Sequence, residues 1–192
     1  MKTRLQRCAL ALTGAGLLGA CVELDAGSLD EGGSEGEAVF AEGELVALDA
    51  WALVPAALDP LADHRPDAIV CPPGAWGPEI GGLEVQTGVC NYLALSQATR
   101  RTIAAGERVE IDLWHDTLDA AEPALGHFAV VLEGELIAEY EVEIPSAPAL
   151  VELRWVAAEE LPAGEEIGLH LHNHGYNAWT IVRVAVAEAD PA

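Results

Sequence analysis

Lysine occurs once in the chain, as Lys2, and beyond Arg7 the only bases are Arg65, Arg100, Arg101, Arg108, Arg154 and Arg183, set against 32 acidic residues. A nucleic-acid-binding surface needs clustered Lys and Arg to displace phosphate counterions, so this scarcity excludes nucleic acid as a partner. The same charge repels anionic headgroups, which excludes membrane association through surface electrostatics. Serine is scarce too, with four in 192 residues and none in a Gly-x-Ser-x-Gly turn. A phosphate-binding glycine loop and a His-Glu-x-x-His motif are also missing, so the sequence offers no catalytic residue set and speaks against an enzyme. Among so many acids, paired carboxylates are not distinguishable by spacing, and a glycan-acting hydrolase stays open as a third reading. Long apolar runs are lacking: residues 9–18, the most apolar stretch, are about half of the roughly 20 a spanning helix needs.

What is present begins with an address. Lys2, Arg4 and Arg7 precede the apolar run, and Leu18-Gly19-Ala20-Cys21 sets small residues before a cysteine. This resembles a bacterial lipoprotein signal with its lipobox, an ordinary secretory signal being the alternative. The resemblance implies removal of residues 1–20, diacylglycerol on the Cys21 sulfur, and an exported protein held at the cell membrane or outer membrane through acyl chains. Residues 21–44 carry eight acids, no base and repeated Gly and Ser. Such a segment buries too little apolar surface to offset its ordering entropy, and it reads as a tether.

With Cys8 in the leader and Cys21 taken by lipid, Cys71 and Cys90 remain as an even pair. An oxidising compartment favours a disulfide between them, worth about 3 kcal/mol for a loop of this length.

Residues 45–192 read as a single all-β domain. Val109, Ile111 and Leu113 alternate with Glu110, Asp112 and Trp114, and similar runs follow at 127–133, 136–144, 149–156, 166–174 and 179–187. Glu133-Gly134, Pro145-Ser146, Pro162-Ala163-Gly164 and Gly175-Tyr176-Asn177 mark turns between them. Weaker strands are expected at 45–54, 68–71, 83–86 and 92–97. This many short strands with regular turns indicate a two-sheet antiparallel β-sandwich or a barrel, the sandwich being the expected fold. The last two runs are expected to pair as a hairpin, with Leu171 opposite Val182, Leu169 opposite Val184 and Ile167 opposite Val186.

The segments Ser96-Gln97-Ala98-Thr99, Ile103-Ala104-Ala105-Gly106-Glu107 and Leu161-Pro162-Ala163-Gly164, followed by the strand from Leu169 to Trp179, resemble the galactose-binding-like and carbohydrate-binding-module jelly rolls. The resemblance covers about residues 90–188 and implies a jelly-roll sandwich, with a glycan as a ligand class.

Two constellations could carry binding. Trp114, Trp179 and Tyr176 offer flat apolar faces for sugar rings, and Asn177 offers hydrogen bonds to hydroxyls. A glycan on these residues is the leading reading. The alternative is a divalent metal. His170, His172 and His174 recur at the strand period of two, so all three project to one side, with His115 or His127 as candidates to complete a Zn²⁺ or Cu²⁺ site. Against this, three consecutive outward positions on a sandwich strand are most often a solvated face.

Overall fold

The computed structural model describes residues 43–173 and 175–187. The leader, Cys21, the acidic segment up to residue 42, and His174 lie outside them.

Among the described residues ten strands occur in the order β1 (Ala52–Leu53), β2 (Trp76–Glu79), β3 (Gly82–Gln86), β4 (Tyr92–Ala98), β5 (Arg108–His115), β6 (Ala124–Leu132), β7 (Glu135–Ile144), β8 (Ala149–Val156), β9 (Glu166–Asn173) and β10 (Ala178–Val186). They form two five-stranded antiparallel sheets, β1-β4-β9-β6-β7 and β2-β3-β10-β5-β8. The protein is the expected two-sheet β-sandwich.

Alternation builds the core. Leu93 and Leu95 of β4, Ile167, Leu169 and Leu171 of β9, and Phe128, Val130 and Leu132 of β6 point inward from the first sheet. Leu83, Val85, Val109, Ile111, Leu113, Ile181, Val184 and Val186 meet them from the second. Each large aliphatic side chain buried in this way contributes about 1.5–3 kcal/mol. Glu133 and Gly134 both adopt positive φ, 52° and 80°, in the two-residue turn between β6 and β7. That is the turn whose twist suits an antiparallel hairpin.

The structure corrects the expected final hairpin. β9 pairs with β4 and β6, whereas β10 pairs with β3 and β5, so the two strands lie in opposite sheets. An inward aliphatic stripe is needed equally by a neighbour within a sheet and by a strand facing it across the core, and alternation alone does not separate the two. β10 also carries an irregularity between Ile181 and Arg183. Before it the odd residues Trp179 and Ile181 face the core. After it the even residues Val184 and Val186 do, and Val182 is turned out.

The first half differs from expectation at three places. Of residues 45–54 only Ala52–Leu53 forms a strand, although Leu45 donates its N–H to the Val184 carbonyl. Residues 68–71 form no strand, because Val70 is tied to Asn91 through both its N–H and its carbonyl. Trp76–Glu79 is a strand the alternation does not announce, since Gly77 and Pro78 interrupt it. Pro78 is tolerated because β2 is a sheet edge. Cys71 and Cys90 form the expected disulfide.

Candidate functional site

The site lies on the outer face of the β1-β4-β9-β6-β7 sheet. Register sets two rows of side chains across that face. Tyr92, His172, His127 and Glu141 occupy one, and Ala94, His170, Ala129 and Glu139 the next. The alanines on either side of His170 leave room for another element to descend on it.

That element is residues 54–71, a strap with short 3-10 turns at Ala56–Leu58 and Ala62–His64. Its first anchor is Asp59. The Asp59 carboxylate accepts hydrogen bonds from the Tyr92 hydroxyl, from Arg65 Nη1 at 2.6 Å and from the Leu61 N–H at 3.0 Å. The Arg65 guanidinium also lies 4.8 Å from the Tyr92 ring centre. Burial pushes the Asp59 carboxyl up, but these bonds outweigh it and hold the group below its ordinary value. Burial, and then Asp59, push the Tyr92 hydroxyl well up, so it stays a donor. The second anchor is Asn91, whose side chain bonds the Ala68 carbonyl and the Val70 N–H, with the Cys71–Cys90 disulfide directly behind it.

Held at both ends, the strap lays His64 over the sheet. Its ring stacks on His127 with centroids 4.6 Å apart and meets His170 edge-on at 5.4 Å, while His127 and His170 are 5.1 Å apart. One donor nitrogen from each of the three lies within 4.8 Å of the others. A tetrahedral ion with Zn–N bonds of about 2.0 Å needs donors about 3.3 Å apart, so displacements of an ångström or so close the site. Three imidazoles then leave one coordination position open.

The environment disfavours the protonated forms of His170 and His127. His170 is 2% exposed, and burial first, then His127 and His64, push its pKa down to about 3. Burial and then His64 also lower that of His127, against an opposing pull from Glu139 and Glu141. Both nitrogens of His170, and Nδ1 of His127, are buried with no hydrogen-bond partner among the described residues. A neutral imidazole left in this way forfeits roughly 1–3 kcal/mol per unsatisfied group. It also presents a lone pair ready for a cation.

Of the sequence candidates, His170 and His127 join this cluster. His172 shares the face and meets the Tyr92 ring at 5.7 Å, outside the three-nitrogen group. His174 falls outside the described residues. His115 is a correction: it is fully buried inside the sandwich, 4.9 Å from the Trp179 ring, with Nδ1 2.8 Å from the Asp116 carbonyl. It cannot reach the outer face, because β5 belongs to the other sheet and the side chain points inward. The third imidazole of the cluster is His64, which the sequence alone does not reveal. A single histidine in an irregular segment carries no periodic signal, and only the strap's anchoring brings it to the sheet.

Among the aromatic candidates, Trp114 is 38% exposed, and Tyr176 and Asn177 lie at the surface. Trp179 is a correction: it is completely buried, packed between His115 and Tyr140. A Cβ added at Gly126 would come within 3.0 Å of the indole, so this glycine makes the room the ring occupies.

No protein-family model matches the sequence, and no curated protein matches it. Among solved structures the chain is similar to a family 28 carbohydrate-binding module specific for non-crystalline cellulose, at 10% identity over 77% of this chain and 97% of that one, with a TM-score of 0.44. It is also similar to the N-terminal cellulose-binding domain of Cellulomonas fimi β-1,4-glucanase C, at 14% identity over 67% and 93%, with a TM-score of 0.42. A mannan-recognising module of family 27 gives 14% identity over 58% and 77%, with a TM-score of 0.40. These neighbours are glycan-binding jelly rolls at low identity. The sandwich assignment rests on the strand pairing above, and no sugar-site residue is carried over.

Proposed function

We propose that this is an exported, lipid-anchored β-sandwich protein that binds a divalent transition metal, Zn²⁺ or Cu²⁺, through His64, His127 and His170. The observation that carries the reading is the cluster of three imidazoles, two of them buried, in which both nitrogens of His170 and Nδ1 of His127 lack partners among the described residues. Ordinary packing favours apolar side chains at such a position, and a metal ion satisfies all three rings at once. Burial favours the neutral form that a metal requires at His127 and His170. Isothermal calorimetry of the purified protein tests this. One ion should bind with micromolar or tighter affinity, and His64→Ala or His170→Ala should weaken it at least a hundredfold. Equal weak binding by all three proteins would reduce the affinity to the general attraction of a polyanion.

A glycan is the second reading, favoured by the open face of the other sheet. There Trp114 lies beside Leu150 on β8 and Thr180 on β10, with Asp112 and Arg154 paired at 2.9 Å in the next rows. An apolar ring face bordered by charged hydrogen-bonding groups suits a sugar polymer. Affinity electrophoresis in gels containing soluble glucans or mannans checks it, with Trp114→Ala expected to abolish any retardation.

A further inference from the structure

His127 belongs to a second donor set as well as to the inner one. One of its nitrogens and one oxygen each from Glu139 and Glu141 lie within 4.8 Å of one another. Glu141 is directly opposite His127 in the β6–β7 register and Glu139 is opposite Ala129, so both carboxylates project from the same outer face. They are exposed, and β7 is the edge of its sheet. Glu143 continues the stripe at the same two-residue spacing. His127 is otherwise 7% exposed, with Nδ1 unpartnered among the described residues, and so reaches both inward to His64 and His170 and outward to the carboxylates.

The inner set is roofed by the strap, and an ion must enter it from some side. Two carboxylates and an imidazole at an open edge form a weaker, more exchangeable site than three imidazoles for Zn²⁺ or Cu²⁺. Negative side chains around an entrance also raise the encounter rate of a cation. We propose that His127, Glu139 and Glu141 form an outer capture position for the divalent ion, from which it passes to His64 and His170 with His127 as the shared ligand. A neutral imidazole has one lone-pair nitrogen, so the two positions are occupied in turn.

This inference rests on the metal reading above, and the experiment separates the two. Stopped-flow uptake of Zn²⁺ alone, followed with a competing chromophoric chelator, is compared in wild type, in Glu139→Gln with Glu141→Gln, and in a control of equal charge change, Glu159→Gln with Glu160→Gln, both exposed and outside the donor set. The first pair should slow uptake about tenfold or more, within the range that charge-lined clefts supply, and the control should not. In a protein lacking the inner ligands, His64→Ala with His170→Ala, one weakly held ion should remain and be lost on adding Glu139→Gln with Glu141→Gln. Circular dichroism verifies that each variant is folded. Equal slowing in both charge variants, unchanged uptake, or no residual ion in the His64→Ala, His170→Ala protein overturns the capture position while leaving the inner site standing. Absence of tight uptake by wild type overturns the inner site itself, and the residual-ion measurement still judges the outer one.

Discussion

The imidazole of His64 stacks on that of His127 with ring centres 4.6 Å apart and planes inclined by 24°. The first belongs to an irregular strap and the second to a central strand, so their contact records how the strap closes the outer face of the sheet. What would otherwise be a wet surface becomes a covered layer, with Tyr92, Ala94, Ala129 and His170 buried beneath it.

Because the strap is held by Asp59 at one end and by Asn91 and the disulfide at the other, loosening either end should lower metal affinity and leave the sandwich folded. Asp59→Ala removes the acceptor for Tyr92 and Arg65 and should weaken Zn²⁺ binding about tenfold. Reduction of Cys71–Cys90 should act in the same direction, and should also cost about 3 kcal/mol of stability through the freed unfolded chain. Calorimetry and urea titration report the two effects separately.

Acid should destabilise the metal-free protein before the carboxylates titrate. Burial, with His127, His64 and His172, holds His170 down at about 3 against the opposing pull of Asp59, whereas in the unfolded chain its pKa is about 6.5. Between those values the unfolded state carries a proton that the folded state does not. Stability is therefore full above about pH 6.5 and falls as the pH drops toward 3, by up to about 2 kcal/mol at pH 5. Urea midpoints at pH 7.5, 6.0 and 5.0 measure this, and His170→Gln should flatten the decline. Identical profiles for the two proteins would contradict the account.

The two tryptophans singled out for ligand binding should behave oppositely. Trp179→Ala empties a fully buried position and should cost about 3–5 kcal/mol. Trp114→Ala, at a surface site, should cost less than about 1 kcal/mol. Chemical denaturation of both variants decides the assignment.

The lipid anchor is open to a direct test. Cys21→Ser should abolish acylation and shift the protein from the detergent phase to the aqueous phase, because the proposed anchor needs that thiol as its acceptor. Retention of the acyl mass in that variant, with its loss on Cys8→Ser, would contradict the assignment.

Much of the sandwich is legible because a strand with one face in the core alternates, and β5, β7, β8 and β9 do so, whereas β6 is a near-continuous apolar run buried on both faces. The pairing of β9 and β10 is not, since Ile167, Leu169 and Leu171 satisfy the same pattern beside Ile181 and Val184 or facing them. Trp179 departs from the expectation for a related reason. The irregularity after Ile181 reverses which parity points inward, and no residue there announces it. At the site, the shared outward projection of His170 and His172 follows from spacing two, and His127 was a named partner. Their burial was not readable, because it depends on an excursion of residues 54–71 whose path is set by one carboxylate, one asparagine and a disulfide.

Metal ligation by His64, His127 and His170 is measured by X-ray absorption at the metal edge of the Zn²⁺-loaded protein, with His64→Ala, His170→Ala protein as the comparison. The expected spectrum has a shell containing three imidazole nitrogens at about 2.0 Å, with their outer-shell scattering reduced to that of one imidazole in the double variant. A shell of oxygens only, the same in both proteins, would contradict it.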